Sequence, residues 1–188
     1  RIGEISWEEI AAKLATLPEP IRADTRAALA LDKPQRSAIQ DYLADKLGGK
    51  GNVAIIMGDL AQNSTHDRTE GVKQVLKDYP GIKVVEQQSA EWQRNKGMDL
   101  TSNWLLAGSR FDAIVANNDE MAIGAAMALQ QAGKGKCAIA IVRIDGLPDG
   151  LAAVKRGMLV ASVFQDPKAQ ATRALQAATS MIKGEPVE

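Results

Sequence analysis

Residues Asn52-Val-Ala-Ile-Ile-Met57 form a short, nearly continuous apolar run directly after Gly51. Such a run is typical of a strand that is buried on both faces, as in a parallel sheet. Further apolar runs, separated by stretches with helical periodicity, lie at about 82–86, 111–116, 137–144 and 159–164. Strands that alternate with helices predict repeated βαβ units with right-handed crossovers. The sequence therefore predicts an α/β fold with a doubly wound, mostly parallel sheet and helices on both faces.

The segment before this pattern, residues 1–37, reads as helical. Ser6 and Glu9 have the spacing of a capping box, and an apolar helical face follows them. Pro18 and Pro20 end that helix, and two shorter helical stretches follow. We therefore predict a helical segment of unknown origin over 1–37 and an α/β domain over 38–188.

Composition excludes several classes of protein. The 188 residues contain 23 basic and 23 acidic side chains, and this zero net charge argues against a large nucleic-acid-binding surface. A single cysteine, Cys137, and a single histidine, His66, argue against a disulfide, a metal site built from these residues and a Ser-His-Asp triad. The sequence has no run of 18 apolar residues, so it predicts no membrane span, and no apolar signal-like region follows the N-terminus.

The phosphate-binding motifs GxGxxG and GxxxxGK[ST] are absent, as is the nucleophile elbow GxSxG. Asp119 and Glu120 are neighbours on one predicted helix, so they do not converge on one reacting atom. We therefore expect no enzyme, no cofactor and no metal. Gly124, in the middle of the same predicted helix (119–132), indicates close packing of that helix on the sheet.

Planar polar side chains or an aromatic follow each predicted strand, where ligands bind in open parallel sheets. The strand-end candidates are Arg68, Trp92, Asn118, Asp145 and Gln165. Planar amide, carboxylate and guanidinium groups match the vicinal hydroxyls of a sugar or cyclitol, and an indole offers a flat face to its ring. The set favours a neutral polyol over an anion, because Arg68 is its only clear cation.

Each of these side chains also has a plainer interpretation. Loops after strands are generally polar, and Asn118 or Asp119 can simply cap the helix that follows. Trp92 can lie at the edge of the core, and Asp145 before Gly146 can be a turn residue. These alternatives stay open at the level of the residues alone.

Several motifs in order resemble the periplasmic sugar-binding proteins of bacterial ABC importers, above all the ribose- and myo-inositol-binding branch. The stretches that carry the resemblance are Asp67-Arg-Thr-Glu-Gly71, Asn118-Asp-Glu-Met-Ala-Ile-Gly-Ala125, Ile144-Asp-Gly-Leu-Pro-Asp-Gly150 and Ser162-Val-Phe-Gln165. The resemblance covers about 38–188. It implies a lobe that closes on a monosaccharide or cyclitol, docks on the membrane subunits of an importer, and is periplasmic. It also implies that the same five strand-end residues contact the ligand.

The sequence departs from this family in two respects. The family's first lobe has no counterpart among the recognised motifs, so we expect weakened binding and possible self-association through an exposed lobe surface. Arg143 stands where the family normally has a small residue, and we expect it to crowd the pocket or offer it a new charge.

Two other hypotheses remain at this stage. The chain could be an engineered or fragment scaffold without a small-molecule function, in which residues 1–37 cover that surface. DNA binding by the N-terminal helices, as in related repressors, is disfavoured by the neutral charge and by Pro18-Glu-Pro20.

Overall fold

The structure, a computed structural model, describes residues 43, 45–135 and 138–186. The strands are β1 (Lys50–Met57), β2 (Gly81–Ser89), β3 (Ala113–Ala116), β4 (Ala140–Asp145) and β5 (Ala161–Phe164), and the helices are α1 (Asn63–Leu76), α2 (Arg94–Leu106), α3 (Asp119–Gln131), α4 (Pro148–Lys155) and α5 (Pro167–Lys183). The predicted N-terminal helices, the domain boundary at 37/38 and the predicted strand start at Cys137 lie outside the described residues.

The five strands form one sheet in the order β2-β1-β3-β4-β5, and every neighbouring pair is parallel. The order reverses at β1, so the crossovers leave helices on both faces of the sheet. The predicted α/β, doubly wound fold is therefore confirmed.

Side chains that alternate along the strands form two cores, one on each face of the sheet. On one face, Trp104 of α2, Met121 of α3 and Ala153 of α4 pack on a strand surface that includes Ile114. On the other face, Val72 of α1 packs in a smaller cluster with residues of β1, β3 and β4. The central strands are apolar on both sides because helices cover them on both sides.

The second strand is longer than predicted, and the helix after it starts later. We predict strand 82–86 and helix 89–107, whereas β2 runs to Ser89 and α2 begins at Arg94. The polar end of β2 pairs with β1, with Ser89 opposite Met57, after a register shift that leaves Val85 of β2 without a partner on β1. Its side chains are largely exposed because β2 is an edge strand, so hydrophobicity gives no sign of the extension.

The close packing predicted at Gly124 exists, but its partner is a helix and not the sheet. A Cβ at Gly124 would lie 2.0 Å from the carbonyl oxygen of Arg94 and 2.8 Å from the backbone nitrogen of Met98, both on α2. A Cβ at Gly97 would in turn lie 2.5 Å from the carbonyl oxygen of Met121 on α3. The two glycines let the backbones of α2 and α3 come into contact.

Gly124→Ala is accordingly expected to lower the free energy of unfolding by about 1–3 kcal/mol, because α2 and α3 must separate to admit a methyl group. Alanine's higher helix propensity, about 1 kcal/mol, opposes this loss only in part. Urea unfolding measures the change. Gly135→Ala is the matched control, since no atom lies within 4 Å of a Cβ there. Equal stability of the two variants would contradict the assigned helix contact.

The last helix differs from the others in its burial. Asp166 caps α5 by accepting hydrogen bonds from the backbone of Lys168 and Ala169, and Gly184 ends it in the left-handed conformation. None of its residues is buried, so α5 adds little to either core. Within residues 43, 45–135 and 138–186, no helix has both the length and the apolar character needed to cross a membrane.

Candidate functional site

The carboxyl ends of the strands surround a cleft of about 260 Å³, at the sheet edge where ligands bind in this architecture. The side chains that line it are Gln62, Ser64, Arg68, Trp92, Asn118 and Asp145. Four of the five predicted residues are therefore lining residues, and the fifth, Gln165, joins the group through its hydrogen bond with Arg68. A second hollow, of about 330 Å³ beside α5, gathers only Asp166 and side chains of that one helix.

Arg68 links the polar groups at the floor of the cleft. It projects from α1, and its Nη1 donates to the carbonyl oxygen of Asn117 at 2.5 Å and to Oδ1 of Asp145 at 3.1 Å. Its Nη2 donates to Oε1 of Gln165 at 2.9 Å. The side chains of Arg68 and Asp145 are 12% and 19% exposed, so the ion pair is largely shielded from water. Three acceptors from three strand ends thus hold one guanidinium in place.

Trp92 forms one wall of the cleft. Its ring centroid lies 5.4 Å from Cζ of Arg68, a cation–π distance. The ring also packs against Gly58, where a Cβ would lie 2.1 Å from it, so only glycine fits after β1. Glu91 and Trp92 both have positive φ angles, 50° and 65°. Trp92 therefore belongs to a tight turn before α2 and not to the helix start that we predict.

Asn118 has a structural role that competes with a role in binding. Its Oδ1 accepts from the backbone nitrogen of Met121 at 2.9 Å and caps α3, as one alternative interpretation predicted. Its Nδ2 donates to the carbonyl oxygen of Trp92 at 3.2 Å. The amide therefore couples the helix start to the aromatic turn, and one Nδ2 hydrogen is left for another acceptor.

Asp145 ends β4 with a φ of 128°, which is rare for a residue other than glycine. Its carboxylate accepts from Arg68, and the backbone N–H of Asp119 helps to lower its pKa. Burial raises the pKa of Asp145, and the neighbouring Arg68 opposes that rise. Asp145 is thus more than a turn residue, because it holds a partly buried charge beside the cleft.

Sequence reasoning missed Asn117, Gln62 and Ser64. Asn117 is buried, and its Oδ1 accepts from the backbone nitrogen of Gly58 at 3.1 Å and from Oγ1 of Thr69 at 3.2 Å. It therefore ties β1, β3 and α1 together beneath Arg68. Its position directly before Asn118, at the end of a strand, was the available signal. Gln62 is the N-cap residue of α1, and Ser64 lies in the first turn of that helix, one turn before Arg68.

The expectation that Arg143 crowds the pocket is wrong. Arg143 and Asp119 are both fully buried, and Nε of Arg143 lies 2.8 Å from Oδ1 of Asp119. Burial raises the pKa of Asp119 and lowers the pKa of Arg143, and in each case the partner's charge opposes the shift. Strand alternation places Arg143 on the same face as Ile141, under α3 and α4, and it does not line the cleft.

The cleft combines one carboxylate, one guanidinium and several amides with an indole face. The charges of Arg68 and Asp145 balance, which suits a neutral ligand that has several hydroxyl groups. Within the described part of the chain, no group of three or more histidine, cysteine, aspartate or glutamate side chains could hold a metal ion. The arrangement can therefore bind and orient a polyol through hydrogen bonds and ring stacking.

The comparisons with known proteins all indicate the same family. A family model described as "Periplasmic binding protein domain" matches residues 10–186, so the match begins inside the predicted segment 1–37. A xylitol-binding protein of Mycolicibacterium smegmatis is 40% identical over 78% of this chain and 42% of its own length. A ribose import binding protein of Haemophilus influenzae is 36% identical over 79% of this chain and 49% of its own.

Among solved structures, an ABC transporter solute binding protein from Bacillus halodurans with bound myo-inositol is 42% identical. It superimposes with a TM-score of 0.73 over 79% of this chain and 52% of its own. The chain thus spans about half the length of these relatives.

Proposed function

Because this chain belongs to the periplasmic binding protein domain family, we propose that its α/β part forms one side of a binding site for a neutral sugar or cyclitol and has no enzymatic activity. Its relatives include solute-binding proteins of importers, such as the ribose import binding protein and the ABC transporter protein named above. Two of the relatives named above are named for xylitol and ribose, and the third has bound myo-inositol. These three compounds are all uncharged and polyhydroxylated.

The observation that carries this proposal is the joint contact of Arg68 with Asp145, Gln165 and the Trp92 face. A fixed guanidinium and carboxylate pair offers donors and acceptors in one plane, which is what adjacent ring hydroxyls require. Trp92 supplies stacking for the C–H face of the ring. Asn118 and Gln165 complete the five residues that we propose as ligand contacts.

The wider role follows from family membership. We propose that the protein works in the periplasm and presents its ligand to the membrane subunits of an ABC importer. The described cleft is open on one side, so the affinity of this chain is expected to be lower than that of a fully enclosing site, which buries most of its ligand's surface.

Thermal unfolding against a panel of myo-inositol, ribose and xylitol tests the proposal. A ligand at ten times its dissociation constant stabilises the folded state by about 1.4 kcal/mol, which raises the midpoint by about 3–6 °C. The shift should grow with the logarithm of ligand concentration. If no compound shifts the midpoint of a cooperatively unfolding chain, the lobe is a folded scaffold that lacks sugar binding.

Asp145→Ala is expected to abolish the ligand-induced shift, because it removes the acceptor and leaves Arg68 without its main counter-charge. The comparison uses the shift on adding ligand and not the midpoint itself, since the substitution also alters stability. Asp78→Ala, an exposed carboxylate beyond the far end of α1, is the matched control and should retain the full shift. A shift that survives in Asp145→Ala would place the ligand elsewhere.

A further inference from the structure

We propose that Asp119 and Arg143 are positioning residues that hold Asp145 in its binding orientation from beneath the cleft. Neither residue lines the cleft, so any effect on a ligand must pass through Asp145. Only the effect on sugar affinity rests on the function proposed above.

Asp145 needs such support because of its backbone. It has a φ of 128°, and Gly146 follows with a φ of 74°. A non-glycine residue persists in such a conformation only where its surroundings determine it. A Cβ at Gly146 would lie 2.8 Å from the Phe164 ring, so the turn is also confined sterically. The direction of the Asp145 side chain therefore depends on whatever holds residues 145–147.

Asp119 supplies the hydrogen bonds that hold this turn. Its Oδ2 accepts from the backbone nitrogen of Leu147 at 2.6 Å, and the nearby N–H of Gly146 helps to lower the pKa of the same carboxyl. In the other direction, the backbone N–H of Asp119 lowers the pKa of Asp145. Each aspartate is therefore stabilised by backbone N–H groups at or next to the other, across the start of α3 and the end of β4.

Arg143 helps to offset the repulsion between the carboxylates of Asp119 and Asp145. The carboxylate of Asp119 lies close enough to Asp145 that its charge raises the pKa of Asp145. Arg143 pairs with Asp119 on the buried side, and Arg68 pairs with Asp145 on the cleft side. Cations and anions therefore alternate in the order Arg143, Asp119, Asp145, Arg68, and the repulsion between the carboxylates is balanced at both ends.

The helix above the pair leaves room for it. Gly150 lies within α4, and a Cβ there would lie 2.0 Å from Oδ2 of Asp119 and 2.5 Å from Nη2 of Arg143. Glycine weakens a helix interior, so its presence here has a steric reason in the volume of the ion pair. This observation is independent of the hydrogen bonds and offers a variant, Gly150→Ala, that displaces the pair and removes neither charge.

The test is NMR of the free protein, with ligand titration as a second arm. In the parent chain, the Nη protons of Arg68 should give separate signals, because three acceptors restrict rotation of the guanidinium. In Gly150→Ala and Arg143→Met these signals should merge, and the dissociation constant for myo-inositol or ribose should rise about tenfold or more. Ile82→Ala is the stability control. It removes a buried side chain at the start of β2, remote from the strand ends, and should change neither reading.

A folded Gly150→Ala or Arg143→Met variant with unchanged Arg68 signals overturns the proposal. Ser162→Ala covers the case in which neither variant folds, since it removes one hydroxyl donor from Asp119 and leaves all charges in place. It should shift the carboxyl carbon resonance of Asp145, and an unchanged resonance overturns the proposal equally. If the parent chain binds none of myo-inositol, ribose and xylitol, the proposed function fails, while the NMR measurement on the free protein still tests the positioning role.

Discussion

Arg143→Met is expected to lower the free energy of unfolding by about 3–5 kcal/mol, which is the cost of leaving a buried charge without its partner. Asp119 is fully buried and keeps only hydrogen bonds from Ser162 and the turn before α4 once the guanidinium is removed. Chemical unfolding at neutral pH measures the loss. Arg156→Met, which removes an exposed arginine at the end of α4, should change stability by no more than about 0.5 kcal/mol.

The double variant Arg143→Met/Asp119→Asn separates loss of the ion pair from loss of packing. The neutral amide that Asp119→Asn introduces can still accept from the backbone N–H of Leu147, and no unpaired charge remains. The double variant should therefore be more stable than Arg143→Met alone, because removing both charges of a buried pair is often nearly neutral. Strictly additive losses would show that the two side chains do not interact.

The deficit of Arg143→Met should also depend on pH. Burial already raises the pKa of Asp119 in the folded protein, and removing Arg143 removes the charge that opposes the rise. A group whose folded pKa lies above its unfolded value favours folding below the unfolded pKa, about 4 for aspartate, and loses that contribution as pH rises. The stability gap between variant and parent should therefore be small near pH 4 and should widen towards neutral pH.

The sheet and its site were predictable because both depend on local pattern. Apolar runs such as Val53 to Ile56 can only be buried between two helical layers, and parallel strands bring their following loops to one edge. That is why Arg68 and Gln165, 97 positions apart in sequence, could be assigned to one place and are 2.9 Å apart in the structure.

The remaining features depend on backbone turns that sequence pattern does not encode. Arg143 and Asp145 stand two positions apart, so alternation predicts that both face the cleft or that neither does. The positive φ at Asp145 directs its carboxylate to Arg68, while Arg143 stays under the helices. Asn117 and Asn118 both follow the end of β3, and only their contacts show that Asn117 bonds to Thr69 in the interior while Asn118 caps α3 at Met121.

Arg68→Lys is expected to weaken sugar binding by about 30-fold or more, close to the loss expected for Arg68→Ala. Removing one partner of a buried, hydrogen-bonded charge pair typically costs about 2–5 kcal/mol in binding, and each 1.4 kcal/mol is a factor of ten. Lysine keeps the charge, but its single ammonium cannot reach Asn117, Asp145 and Gln165 in the plane that the guanidinium spans.

Calorimetric titration with the sugar that stabilises the parent chain measures this effect. Arg173→Lys, on the exposed helix α5, is the matched control and should bind as the parent does. If Arg68→Lys retains the parent's affinity, charge alone is sufficient at this position and the planar hydrogen-bonding role of Arg68 is wrong. If the affinity falls in Arg68→Ala but not in Arg68→Lys, the site recognises charge, and a neutral polyol is then a poor candidate for its ligand.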